Sequence, residues 1–177
     1  KMMNQDKKTI VISYILENQD KFYRLAYSYV HQKEAALDIV QNSVVKALEH
    51  WQDIRQVAHI KTWFYRILVN ESLQYLKKTE KELLWENEVW NVIPDTKVEQ
   101  WQEETEIYHI IMTLPEEWKT VLLLRFYEDM ELSEFAKITA LHLSQVKYRL
   151  YTGLDKIKER IKQKGERYEK RSDRRTN

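Results

Sequence analysis

The sequence predicts an all-α protein: two small helical domains joined by an acidic linker, the C-terminal one built around a helix-turn-helix. Three observations predict it. The 177 residues include only 2 glycines and 2 prolines, too few turn residues for the hairpins of a sheet protein. Apolar residues recur at helical spacing on both sides of an irregular stretch. The net charge of +1 conceals segregated charge, because residues 1–78 carry 12 basic and 8 acidic side chains, 79–106 carry 2 and 9, and 155–177 carry 10 and 5.

Taken in order, a first helix is expected over about Thr9–Leu16. Three more fit between Phe22 and Leu76. Phe22, Leu25, Ala26, Tyr29 and Val30 form one face; Ala36, Val40, Val44, Ala47 and Leu48 a second; Ile60, Phe64, Ile67 and Leu68 a third, leading to Leu73 and Leu76. Breaks are expected at His31–Lys33 and Gln52–Gln56. The stretch from Thr79 to Glu106 loses the pattern and contains Pro94-Asp95, a turn signal. Its Trp85, Trp90 and Trp101 are read as tethering it to one domain, with docking on a partner as the alternative. Its acidic excess is expected to pair with basic domain faces. Helical spacing resumes with Ile107, Ile110, Ile111 and Leu114, continues through Trp118, Val121, Leu122 and Phe126, then Leu132, Phe135 and Ala136, and ends with Leu143, Val146, Leu150, Leu154, Ile157 and Ile161. From Ile161 onward the chain is charged without apolar spacing, and a frayed tail is expected.

Several functions are disfavoured. There is no cysteine, hence no disulfide or zinc ribbon, and a reducing cytosol is the expected compartment. No apolar run approaches membrane-spanning length, and Lys1–Gln5 has no signal-peptide core. The chain lacks His-Glu-x-x-His, a glycine-rich phosphate loop and Gly-x-Ser-x-Gly. Its five histidines (His31, His50, His59, His109 and His142) lack metal-ligand spacing. The expectation is therefore a non-enzyme with no cofactor, metal or small-molecule substrate.

The strongest functional signal lies in the last third. Ser133 is placed to cap a helix through Thr139, Leu141 and Leu143 to plug a turn into the core, and Val146 and Leu150 to face inward. That leaves Ser144, Gln145, Lys147, Tyr148, Arg149 and Tyr151 for the outer face. Lysine and arginine attract phosphate and donate to guanine, glutamine can pair with adenine, and tyrosine offers a hydroxyl and a ring. An ordinary solvated amphipathic helix would show much of the same pattern. In the first third, Asp38 and Gln41 share a helix face in Leu37-Asp38-Ile39-Val40-Gln41-Asn42, a motif that alone is no more than a solvated stripe. Downstream, Lys61 and Arg66 place charge beside the rings of Trp63, Phe64 and Tyr65, and Asn70 follows as a residue that can equally cap or bridge inside the domain. Trp63 and Phe64 are read first as core.

In their order and spacing, the Leu114-Pro115-Glu116-Glu117 start, the helix-turn-helix, Asp38-x-x-Gln41 and the Trp63-Phe64-Tyr65-Arg66 run resemble the extracytoplasmic-function group of the bacterial sigma-70 family. The resemblance covers roughly residues 20–78 and 107–160. It implies a domain at 1–78 that binds core RNA polymerase and the promoter −10 element, an acidic linker at 79–106, and a domain at 107–177 that reads the −35 element and ends in a basic tail. It implies that Asp38, Gln41 and Asn42 contact the β′ clamp helices and that the β flap is a second polymerase contact. Lys61, Trp63, Arg66 and Asn70 would act at the −10 region, with the loop at 53–59 capturing a flipped base. Ser144, Gln145, Lys147, Tyr148, Arg149 and Tyr151 would act at the −35 region. It further implies an anti-sigma factor that holds the protein inactive until stress. The chain departs from the pattern at Ala140, where the family has glycine, and at Gln145, Tyr148 and Thr152-Gly153. The competing readings are a stand-alone helix-turn-helix regulator, which has no use for Asp38 and Gln41, and a helical interaction protein.

Overall fold

The structure, a computed structural model, describes the backbone of residues 2–85 and 106–173, with side chains over 6–82 and 106–167. All regular structure among the described residues is helical. The order is α1 (Met2–Glu17), α2 (Gln19–Val30), α3 (Lys33–His50), two 3-10 turns (Trp51–Asp53 and Val57–His59), α4 (Ile60–Trp85), α5 (Glu106–Met112), α6 (Glu116–Phe126), α7 (Leu132–Thr139) and α8 (Leu143–Asp173). The described residues group into two compact units: α1 to α4 with residues 133–141, and α5, α6 and α8. The readings attached to residues 86–105, including Trp90, Trp101 and the acidic excess, lie outside the described residues, as does the side chain of Trp85.

In the first unit α2, α3 and α4 pack on one another, and α1 lies against α3 and the first 3-10 turn. The centre is aromatic. Phe22 and Phe64 are fully buried with ring centroids 4.2 Å apart, and Tyr65 meets Phe22 edge-on at 5.5 Å. Tyr14 of α1 closes the cluster at 5.8 Å from Phe22 and 6.3 Å from Phe64. Tilted and edge-on pairs at such distances add about 0.5–1.5 kcal/mol beyond area burial. Three buried serines sit among these helices. Ser28, Ser43 and Ser72 each turn the hydroxyl back to a carbonyl of their own helix (Leu25, Ile39 and Leu68), at 2.6, 2.7 and 2.8 Å. A small residue whose only polar group is satisfied locally brings no unpaired donor into the core. Lys46 pairs with Glu71 between α3 and α4.

In the second unit α5, α6 and α8 pack together. Helix α6 is buried all round from Lys119 to Leu124. Burial lowers the Lys119 pKa from the ordinary lysine value, and the Glu116 carboxylate partly offsets this. Burial ends at Leu124, and Phe126, expected on the inward face, is exposed. At Gly153 α8 packs tightly on α6: a Cβ there would lie 3.0 Å from Leu122 Cδ1 and 3.3 Å from its Cγ.

Several boundaries differ from the sequence reading. Helix α4 continues past residue 78 to Trp85, aided by a Lys78–Glu82 pair and a run of straight-chain residues. Ser133 lies inside the first turn of α7, not at its cap, because the helix begins at Leu132. Leu143 is 42% exposed and Leu141 partly buried, so the turn is plugged less than expected. The charged end is helical to Asp173. It lacks apolar spacing, but it is rich in lysine, glutamate, arginine and glutamine, which lose little rotamer freedom in a helix. Gln163 bonds Glu159, and Lys164 reaches Glu106 of α5 at 3.0 Å.

Among the described residues the positive-φ positions are His31 (52°), Asp129 (47°) and Ala140 (54°), and neither glycine is among them. His31 closes α2, its N–H donating to the Tyr27 carbonyl at 2.8 Å. Asp129 begins the approach to α7, where Arg125 donates to the Met130 carbonyl at 3.2 Å. Ala140 forms the turn between α7 and α8. For an L-residue with a Cβ this conformation costs about 1–2 kcal/mol. Ala140→Gly is therefore expected to stabilise the protein by about 0.5–1 kcal/mol after the entropy gained by the unfolded chain, read as a higher midpoint in urea with unchanged slope. Gly153→Val is expected to cost about 1–3 kcal/mol by overpacking against Leu122, read in the same titration. Unchanged midpoints would contradict both assignments.

Candidate nucleic-acid interface

Three exposed helix faces hold most of the residues singled out by sequence, Lys61 and Arg149 lying off them. On α3, the buried side is Ala35, Ala36, Ile39, Ser43 and Ala47. Asp38, Gln41 and Asn42 are all exposed on the other side. At steps of three and four residues they share that side with Leu37, Val45 and Leu48. Leu48 was expected inside but is 38% exposed, and Val40 and Val44 are only half-buried. The face is therefore mixed: polar groups that can orient a partner, beside aliphatic residues left in water. The sequence reading missed Leu37 and Val45, although their spacing from Gln41 carries the signal.

On α4, burial of Phe64, Tyr65, Leu68 and Val69 fixes the register. With about 100° between successive residues, Trp63, Arg66 and Asn70 fall on one stripe, which continues to Leu73 and Lys77. Arg66 and Asn70 are exposed and Trp63 half-buried. Phe64 and Tyr65 are core, as expected of Phe64. Lys61 is half-buried and lies on a different side of the helix, in its first turn. Before α4, Ile54 is buried and anchors the connection, leaving Arg55, Gln56, Ala58 and His59 exposed. This places polar, hydrogen-bonding side chains next to the stripe in sequence.

On α8, Val146 is fully buried and Leu150 nearly so. Opposite them runs a ridge of Ser144, Tyr148 and Tyr151, with the two tyrosines 69% and 61% exposed. Lys147 and Gln145 flank the ridge on either side and are exposed, whereas Arg149 sits beside the buried face and is half-exposed. The geometry thus separates a central ridge, suited to base edges, from flanking groups suited to phosphate.

Gln145 has a second task. Its Oε1 accepts the His142 backbone N–H at 3.0 Å, while the Gln145 and Val146 N–H groups donate to the His142 carbonyl at 3.0 and 3.1 Å. This is the glutamine half of a capping box. A backbone N–H must be accepted by oxygen, so the cap leaves the Gln145 amide NH2 as the group turned outward. That favours a base acceptor over the two-point pairing with adenine that the sequence suggested.

Among the described residues no group of carboxylates and histidines could hold a metal ion, and no helix is long and apolar enough to cross a membrane.

The Sigma-70 region 2 family matches residues 14–82, and the Sigma-70 region 4 family matches residues 104–157. The chain is 37% identical over 150 residues to the RNA polymerase sigma factor SigV of Bacillus subtilis (strain 168), covering 85% of this chain and 90% of that protein. It is 23% identical to the ECF RNA polymerase sigma factor SigW of the same organism, covering 81% and 84%. Among solved structures it is similar to the sigma factor RpoE of Bartonella quintana, co-crystallised with the anti-sigma factor NepR, with TM-score 0.71, 17% identity and coverage of 92% of this chain and 98% of that one. It is also similar to CnrH in complex with the cytosolic domain of CnrY, with TM-score 0.55, 17% identity and coverage of 88% and 97%. Regions 2 and 4 occur here in order, and the match to SigV runs across most of both chains, so this chain belongs to the sigma-70 family of RNA polymerase sigma factors, in its extracytoplasmic-function group.

Proposed function

We propose that this sigma factor, working in the cytoplasm, engages core RNA polymerase through the mixed face of α3 and promoter DNA through α4 and α8. The observation that carries this reading is the α3 face, where Asp38, Gln41 and Asn42 stand exposed among Leu37, Val45 and Leu48. Aliphatic side chains grouped with polar ones on one exposed helix face suit a partner-binding surface. In this reading Asp38, Gln41 and Asn42 contact the β′ clamp helices, and the β flap is held by the region 4 part of the chain.

At the −10 element, the exposed 55–59 segment and the Trp63–Arg66–Asn70 stripe receive unstacked bases and hold the backbone, with Lys61 adding charge from the first turn of α4. At the −35 element, Ser144, Tyr148 and Tyr151 meet base edges, the Gln145 amide donates, and Lys147 and Arg149 hold phosphates. A recognition helix presents its N-terminal residues to the major groove, which suits the position of this ridge in the first turns of α8. The protein supplies specificity and the polymerase supplies catalysis. Because RpoE and CnrH were each solved with a binding partner, NepR and CnrY, an anti-sigma factor is proposed as the regulator of this chain as well.

The test is run-off transcription with purified core polymerase on a library of promoter fragments. New specific transcripts are expected. Asp38→Ala combined with Gln41→Ala should reduce them roughly tenfold, the equivalent of about 1.4 kcal/mol, without changing binding to isolated DNA. Transcription independent of these two residues would remove the α3 face from the proposal. In parallel, Lys147→Ala should weaken promoter binding across all sequences and lower the slope of log affinity against log salt by about 1. A changed base preference with an unchanged slope would make Lys147 a base reader.

A further inference from the structure

The first turn of α8 divides the Gln145 amide between two tasks, and only one of them is structural. Three hydrogen bonds close that turn. The His142 N–H donates to Gln145 Oε1 at 3.0 Å, and the Gln145 and Val146 N–H groups donate to the His142 carbonyl at 3.0 and 3.1 Å. Val146 is fully buried and Leu150 nearly so, which fixes the rotation of the helix about its own axis. Gln145 itself is exposed, and Tyr148, three positions later, is 69% exposed on the ridge. Residues three apart are neighbours on a helix surface. The NH2 end of the amide therefore stands beside the ridge, on a side chain whose rotamer the cap already holds. A contact made by such a group loses less conformational entropy than one made by a freely rotating glutamine.

We propose, resting on the assignment of the α8 ridge to the −35 element, that Gln145 is a specificity-determining residue that selects guanine there, acting as a donor alone. In the major groove guanine presents two adjacent acceptors, N7 and O6. Adenine sets N7 beside an N6 amino group, thymine sets O4 beside a methyl group, and cytosine offers an N4 donor. Glutamine reads adenine by presenting its oxygen and its NH2 side by side to one base edge. Here the oxygen is turned to the backbone of its own helix. The outward NH2 meets an opposing amino group on adenine and on cytosine, and a methyl group crowds its approach to thymine O4. Guanine alone offers acceptors on both sides of the approach. The cap thus turns a residue type suited to adenine into a reader of guanine, a change that only the folded turn produces.

The experiment uses holoenzyme assembled from the full chain and core polymerase, and a pool of duplex promoters randomised across the −35 element. Sequencing the bound fraction gives the base preference at each position. Preferences are compared within one variant, so that overall affinity cancels. The wild-type protein should favour guanine over adenine at one position by roughly fivefold or more. Gln145→Glu keeps the cap, because a carboxylate at this place in a helix accepts the same N–H and suits the positive end of the helix dipole. It replaces the outward donor with an acceptor. At that one position the preference should move to cytosine or adenine, whose amino groups face the major groove, while preferences elsewhere stay within about twofold. Gln145→Met, of similar length but with neither group, should flatten the preference at the same position. Urea unfolding follows the cap separately: the Gln145→Glu midpoint should match or exceed the wild-type value, and the Gln145→Met midpoint should fall below it.

Adenine, or any base other than guanine, at the position that depends on Gln145 would overturn the proposal. Parallel changes at every position in Gln145→Glu would reduce Gln145 to positioning the helix, and would overturn it as well. Clear selection of a −35 sequence that neither variant alters would overturn the role of Gln145 and leave the ridge assignment standing. No selection in the −35 element by the wild-type protein would remove both.

Discussion

Burial of Phe64 against Phe22, with ring centroids 4.2 Å apart, sets the register on which the first unit depends. Once Phe64 and Tyr65 are inside, the helical period places Trp63, Arg66 and Asn70 on the outside. Shifting α4 by one residue would bury Arg66 or expose Phe64, either of which costs far more than a surface contact returns. The same logic holds α3, where small residues (Ala35, Ala36, Ser43 and Ala47) face inward. They allow close packing and leave larger aliphatic residues, Leu37 and Val45, no place but the surface. The face proposed for polymerase is thus the complement of an inward face made mostly of small residues, with Ile39 its one large side chain.

Helix α8 combines three demands in one element. Val146 and Leu150 fix which side faces inward, Gly153 lets the helix approach Leu122 of α6, and the residues on either side of this anchor point in different chemical directions. N-terminal to it stands a ridge of hydroxyls and rings, capped by Gln145; C-terminal to it stands a cationic wall over Trp118. Because the helix is continuous from Leu143 to Asp173, a tilt at one end is carried to the other.

The use of glycine is inverted relative to helix geometry. Left-handed turns fall on His31, Asp129 and Ala140, while Gly153 and Gly165 lie inside α8. Histidine and aspartate tolerate that conformation better than most residues, and Ala140 bears the larger strain. Gly153 has a packing reason in the approach to Leu122. Gly165 has open space around the position of its missing Cβ, and nothing in the structure explains it.

The sequence by itself determined the all-helical class, the order of the helices, the inward Val146 and Leu150, the core role of Phe64 and the exposure of Asp38, Gln41, Tyr148 and Tyr151. These follow from local periodicity, since a residue's place on an amphipathic helix is decided by neighbours three and four positions away. Tertiary structure decided what depends on contacts between distant segments. Phe126 and Leu48 have the right spacing for a core and are exposed, while their neighbours Leu124 and Ala47 are the residues that packing buries there. Gln145 has the chemistry of a base reader, yet its oxygen closes the N-terminus of its own helix. The charged end of α8 looks like a loose tail in sequence, but ties to Glu106 and Thr113 of the α5 segment hold it in place. The cleft between α5, α6 and the C-terminal half of α8 was unreadable for the same reason: its basic side, from Lys156 to Arg167, repeats visibly along α8, but its apolar lining, Ile110, Leu114 and Trp118, comes from far earlier in the chain and is brought near only by the packing of α5 and α6 on that helix.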